Sequence, residues 1–379
     1  MPTQSRNGGL TMTRLATLIS FLPLLFAACT RPPVAIGFVG PLTGSSSAIG
    51  LGCRNGFLLA LGAGLGAAPG STPSLHLIVK DDKNDADTCL KAFQELKAQG
   101  CSIVVLGTPS QAATKAVPWA VANGILVITP TVSSHVEGDD SALFIRVNMP
   151  SADYGEVLAR AAFERFHATK VGLIGDSRNS GYVQAVSAAF NAEYVHLGGK
   201  TSFDLTFDSS KDNPAAGLAD RIRSTGCDGL FVITASSEAV VIAKELERAR
   251  LHIQIFFPPW PLTPDLIQNG GAAVEGAVAL SIADLEFRSP AGKAFENAYR
   301  TVYGEAPGFT AMFGWESAAI LRKALAGPGP TAAVSIRDRI IAIGHFDGLQ
   351  GPIDFNAKGS ATRAMFLFRI ENGAFRRLD

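Results

Sequence analysis

GDSRNSG (175–181) is the stretch that comes nearest to an enzymatic nucleophile. A serine on a sharp turn after an apolar run is how hydrolases expose a hydroxyl for acyl transfer. The spacing here is not G-x-S-x-G, and none of the six histidines (His76, His135, His167, His196, His252, His345) is placed to act as its base. Those histidines and the cysteines also lack metal-ligand spacing. DDKNDAD (81–87) offers carboxylates but not the ligand periodicity or closing glutamate of a calcium loop, and reads as a solvated turn. GAGLGA (62–67) resembles a phosphate-cradling loop, yet it precedes a strand where such a loop must follow one. It reads as a loop that ends a helix. No catalytic residue, metal or cofactor is predicted, which leaves binding as the chemistry.

The elements that would position a binding site are periodic. Four apolar runs in the first half are VAIGFVG (34–40), LHLIVKDD (75–82), CSIVVLGTPS (101–110) and GILVITP (124–130). Four in the second half are KVGLIGDS (170–177), YVHLGGKTSF (194–203), CDGLFVITASS (227–237) and IQIFFPP (253–259). The runs lack strict alternation, as parallel strands covered on both faces do. Helical segments separate them; residues 86–99 place Leu90, Phe93 and Leu96 on one face and stop at Gly100. Strand and helix in alternation predict two doubly wound α/β lobes, with ligand beyond the carboxyl ends of the strands. Past residue 260 the rhythm changes. VEGAVALSIAD (274–284) reads as a strand crossing between lobes, and Ser289 with Pro290 opens a helix. A second helix spans 310–326, and the tail reads as strands joined by Asn-Ala-Lys-Gly and Asn-Gly turns.

An apolar content of 47% and a charged content of 17% over 379 residues describe a globular chain with room for two cores. The formal net charge is zero and no basic stripe occurs, so nucleic acid is not an expected partner. Arg14, the apolar stretch 15–28 and Cys29 read as an export leader over 1–28, with Met12 as its natural start. Ala27 and Ala28 before Cys29 resemble a bacterial lipobox, which makes Cys29 the lipid attachment point. Thr30 in place of aspartate favours the outer membrane. The expected location is the periplasm or cell surface, on a membrane through that anchor. Cys101 and Cys227 hold equivalent positions before strands and read as core. Cys53 and Cys89 are candidates for a disulfide that spacing alone does not establish.

Several segments together resemble the type I periplasmic binding proteins, specifically the Leu/Ile/Val-binding receptors of ABC transporters. They include IGFVGPLTG (36–44), VKDDKNDADTCLKA (79–92), GILVITPTVSS (124–134), SPAGKAFENAYRTVYGEAP (289–307) and FDGLQGPIDFNAKG (346–359). The resemblance covers residues 34–375. It implies two Rossmann-like lobes on a three-strand hinge: a leader over 1–28, lobe 1 from 34–150 plus 285–345, and lobe 2 from 151–284 plus 346–379. It also implies a receptor that closes on an amino acid or related small carboxylate and delivers it to an inner-membrane ABC permease. In that family hydroxyls after the third and fourth strands hold the carboxylate; the matching positions are Ser110 and Ser133, with Thr131 beside the latter.

Most departures from the family concern the second lobe. A tyrosine expected after VGLIGDSRN is Ser180, with Tyr182 two residues on, and Ile49 stands where an aromatic residue is common. The acidic residue that pairs with the ligand ammonium falls at Pro258 or Trp260, depending on register. Neither neutralises a cation by charge, and a buried ammonium without a partner is costly. Trp260 would serve a cationic group through its ring face, pack on an apolar or aromatic ligand, or plug the cleft. The alternative function is an outer-membrane lipoprotein of the same fold that acts through protein contact, as regulators of cell-wall synthases do.

Overall fold

The computed structural model describes residues 33–62 and 75–378, with Gln4 standing alone. The leader and Cys29 lie outside the described residues. The first five strands are β1 (Val34–Gly40), β2 (Leu75–Asp81), β3 (Ile103–Leu106), β4 (Leu126–Thr129) and β5 (Phe144–Arg146). They form a parallel sheet in the order β2-β1-β3-β4-β5. The next five are β6 (Lys170–Asp176), β7 (Lys200–Phe207), β8 (Gly229–Ile233), β9 (Gln254–Phe257) and β10 (Val278–Ser281). They repeat the same order, β7-β6-β8-β9-β10, again parallel. The duplication predicted from four runs per half is therefore five strands per half. Phe144–Arg146 is too short to register as an apolar run.

Alternate side chains of the first sheet enter different cores. Ile36, Phe38, Ile103, Val105, Leu126 and Ile128 pack in one cluster, and Val39, Val104, Leu106 and Val127 in another. Both faces are covered, so both must be apolar. The edge strand β7 behaves differently. It is half exposed, and TSFDLTF alternates accordingly. The predicted run at 194–203 is corrected by this: Tyr194 and His196 end the helix Ser180–His196, where Tyr194 stacks on Phe190 one turn earlier, and the strand begins at Lys200.

Ser289 caps the helix Pro290–Tyr303 through Gly292 N at 2.8 Å, as the sequence indicates. The helix Phe309–Ala326 follows. The strands β11 (His345–Gly348), β12 (Gly351–Phe355) and β13 (Ala361–Thr362) form a small antiparallel sheet. Phe346, Ile353 and Ala361 join the core of the first sheet, and Arg146 N of β5 bonds Gly359 O at 2.8 Å. Only then does the chain return to the second sheet, through β14 (Phe366–Glu371) and β15 (Ala374–Leu378), added antiparallel beside β10. Phe346, Ile353 and Ala361 thus pack in the first-sheet core, where the sequence placed this segment in the second lobe, while Leu349 between them joins the core of the second sheet. We propose that the last crossing lies at 363–365. In the same proposal the earlier crossings lie at 147–151 and 282–289.

Cys53, Cys89, Cys101 and Cys227 are free and buried. Cys53 and Cys89 lie in different core clusters, so they form no disulfide. Among the described residues no helix is long and apolar enough to cross a membrane, and no group of three or more His, Cys, Asp or Glu is placed to hold a metal ion.

Candidate functional site

The strands of both sheets point their carboxyl ends at a common seam, and a cavity of about 40 Å³ lies in it. Pro109 and Ser110 reach it after β3, Thr131 and Ser133 after β4, and Asn148 after β5. Asn179 and Tyr182 reach it after β6, and Pro259 and Trp260 after β9. Ile49, Tyr154 and Phe309 complete the wall. All five residues singled out from the sequence, Ser110, Thr131, Ser133, Tyr182 and Trp260, line this one cavity. Of the two registers for the family's acidic position, Trp260 lines it and Pro258 does not.

On the first-lobe side the polar groups are neutral. Ser110 does not cap its own helix; its Oγ accepts the backbone N–H groups of Ser133 and Ser134, both at 3.2 Å. That leaves its O–H free to donate. Among the described residues the Ser133 hydroxyl has no hydrogen bond, although the residue is buried. Thr131 is less available. Its hydroxyl lies 2.8 Å from Thr108 O and 3.3 Å from Leu106 O, so it braces the two strand ends. The 133–139 loop is fixed by Arg146, whose buried guanidinium meets Asp139 at 2.5 Å and Ser134 O at 3.4 Å.

The second-lobe side is aromatic. Tyr182 meets Trp260 edge-on, centroids 5.6 Å apart, and Tyr154 at 6.5 Å. Tyr154 is locked by its hydroxyl, which lies 2.6 Å from Asn148 Oδ1 and 3.0 Å from Met149 O. Trp260 Nε1 and the Tyr182 hydroxyl are buried without a well-formed hydrogen bond, although the Trp260 backbone amide lies against the hydroxyl. Burial holds the Tyr182 phenol well above its usual range, so it remains a neutral donor.

Two bonds tie the lobes directly. Gln111 N donates to Asn179 Oδ1 and the Ser180 hydroxyl donates to Gln111 Oε1, both at 3.1 Å. The lobes are therefore shut, and 40 Å³ is room for a water or two. A solute enters only when they part. Asn148, Tyr154 and Asn179 were not predicted. Asn148 and Tyr154 follow the short β5, and Asn179 sits in a segment that reads as an ordinary turn. Their one signal was position beyond a strand end. A wider groove of about 620 Å³, between Leu262, Leu285 and Phe375, lies away from those ends.

A two-lobed α/β binding protein is what this fold and seam define. The chain belongs to the periplasmic binding protein family, whose profile matches residues 33–374. It is 24% identical over 301 residues to the Leu/Ile/Val-binding protein BraC3 of Rhizobium johnstonii, covering 79% of this chain and 80% of that one. Among solved structures it resembles the leucine-binding protein LivK of Thermotoga maritima, with a TM-score of 0.84, 20% identity and coverage of 91% and 98%. It also resembles an ABC-transporter solute-binding protein of R. palustris in complex with benzoate, with a TM-score of 0.82, 17% identity and coverage of 91% and 95%. The family works by binding and not by catalysis.

Proposed function

We propose that the protein is the solute receptor of an ABC importer and that it closes on a small carboxylate with a planar, apolar body and no ammonium group. One observation carries this reading: among the described residues no Asp, Glu, Lys or Arg lines the seam cavity. A ligand ammonium there would be buried without a counter-charge. A carboxylate is better served, because the Ser110 and Ser133 hydroxyls are neutral donors that satisfy an anion. Tyr154, Tyr182, Trp260 and Phe309 offer ring faces and edges to a flat body. The benzoate complex of the R. palustris relative supports this class, while the names of BraC3 and LivK point to branched-chain amino acids. The lack of an acidic residue in the cavity lining favours the former.

The lipid anchor at Cys29, the membrane location and the partnership with a permease belong to the same proposal. Incorporation of labelled palmitate that is lost in Cys29→Ala would support the anchor; equal labelling of both would exclude it. A thermal-shift panel of aromatic acids, aliphatic acids and amino acids tests the ligand class. An aromatic acid at a hundred times its Kd should stabilise the protein by about 2.7 kcal/mol. Stabilisation by leucine alone would overturn the proposal. A second reading, a lipoprotein acting by protein contact, is favoured by the shut seam with its direct Gln111–Asn179 bond. No response to any solute would support it.

A further inference from the structure

Two buried donors on the second-lobe wall have nothing to donate to. Trp260 is 6% exposed and Tyr182 is 4% exposed; both line the cavity, and neither Trp260 Nε1–H nor the Tyr182 O–H has an acceptor among the described residues, although the Trp260 backbone amide lies against the hydroxyl oxygen. The indole N–H is a donor only, so no rotation or role reversal can satisfy it. Native structures rarely leave such a group unpaired, and an unpaired one calls for an explanation. Thr234 and Ser151 also carry unpartnered hydroxyls, but neither lines the cavity. The two donors sit together, since their rings meet edge-on at 5.6 Å. They face the wall that holds Ser110 and Ser133, which come from the other lobe.

Resting on the carboxylate reading above, we infer that the ligand carries a second polar end: a neutral acceptor oxygen, hydroxyl or carbonyl, remote from the carboxylate and held by Trp260 Nε1 and the Tyr182 hydroxyl. The first lobe takes the charged end and the second lobe takes the neutral one. A second carboxylate is disfavoured at that end, because among the described residues no cation lines the cavity to balance a second buried charge. An apolar substituent of the same size leaves both donors unpaired and is rejected for that reason. Trp260 thereby replaces recognition of an ammonium by recognition of an acceptor.

Calorimetric titration of the purified protein with 4-hydroxybenzoate, 4-methylbenzoate and terephthalate tests this. 4-Hydroxybenzoate should bind about tenfold or more tightly than its methyl counterpart, and terephthalate should not compete. Trp260→Phe and Tyr182→Phe should each reduce that preference to within about threefold by weakening 4-hydroxybenzoate more than 4-methylbenzoate. A merely structural role would weaken both ligands together. Equal binding of the hydroxy and methyl acids by the unaltered protein overturns the inference but leaves the carboxylate reading standing, as does a preference that survives both substitutions. No binding of any aromatic acid overturns both. The comparison within the unaltered protein decides even where a variant fails to fold.

Discussion

Ser110 and Ser133 lie 23 residues apart and meet at one point, yet their substitutions should act differently. Ser110→Ala removes the acceptor of two buried backbone N–H groups, so it should lower stability by about 1–3 kcal/mol as well as weaken ligand. Ser133→Ala removes a hydroxyl that bonds nothing among the described residues, so it should weaken ligand with little change in melting temperature. Denaturant titration of the two variants checks this; equal stability losses would contradict it. Asp82, just beyond β2, is fully buried, and desolvation raises its carboxyl to about 6 despite the N–H of Asn84 at 2.9 Å. An unfolded aspartate titrates near its ordinary value of 3.8. The folded state therefore holds the extra proton between pH 4 and 6, and this residue's contribution is full below that window and lost through it. Asp82→Asn should gain on the parent as pH rises from 4 to 6.5, by up to about 3 kcal/mol. A pH-independent difference between the two would contradict this. Ser110, Ser133, Tyr182 and Trp260 were legible because each follows an apolar run closely. Asn179 was not, because its role depends on Gln111, 68 positions away.

At the scale of elements, the helix Ser47–Gly62 packs on Phe309–Ala326 at backbone contact. A Cβ at Gly56 would lie 1.8 Å from Ala311 O, and one at Gly314 would lie 2.0 Å from Cys53 O. Backbone cannot yield cheaply, so Gly314→Ala should destabilise by about 1–3 kcal/mol and disturb Phe309 at the cavity wall. Unchanged stability would show that the helices can slide apart freely. The same long helix supplies Glu316, which is buried and paired with Arg363 at 2.5 Å, while its other oxygen takes Leu349 N at 2.8 Å. Arg363 also lies over Phe313 at 4.2 Å and reaches Val147 O at 3.4 Å. The first and last crossings are thus knotted together. Arg363→Ala strands a buried carboxylate and should cost about 3–5 kcal/mol in chemical denaturation; a loss under 1 kcal/mol would contradict that account. The strands β1, β3 and β4 were legible because burial on both faces writes continuous apolar runs, and the half-buried edge strand β2 still carries LHLIV. The short β5 was not, and the small sheet β11–β13 was read as part of the second lobe because a turn pattern does not say which lobe it packs against.

At the scale of the whole molecule, the described residues form two like sheets that meet at their carboxyl ends, and in the proposed reading one wall from each reads the ligand. Duplication was legible because both halves carry the same order of strand and helix. The degree of closure was not, because it depends on a few side chains at the seam. The Gln111–Asn179 and Gln111–Ser180 bonds contribute to the shut form. Binding then becomes a shift among conformers already present. The measurement that tests the central claim most directly is tryptophan emission during titration with benzoate and, separately, with leucine. Trp260 lies in the cavity, so benzoate should produce a saturable change that disappears in Trp260→Phe, and leucine should produce none. A saturable response to leucine, with none to benzoate, would mean that an ammonium is accommodated where no acidic side chain lines the wall, and would contradict the account.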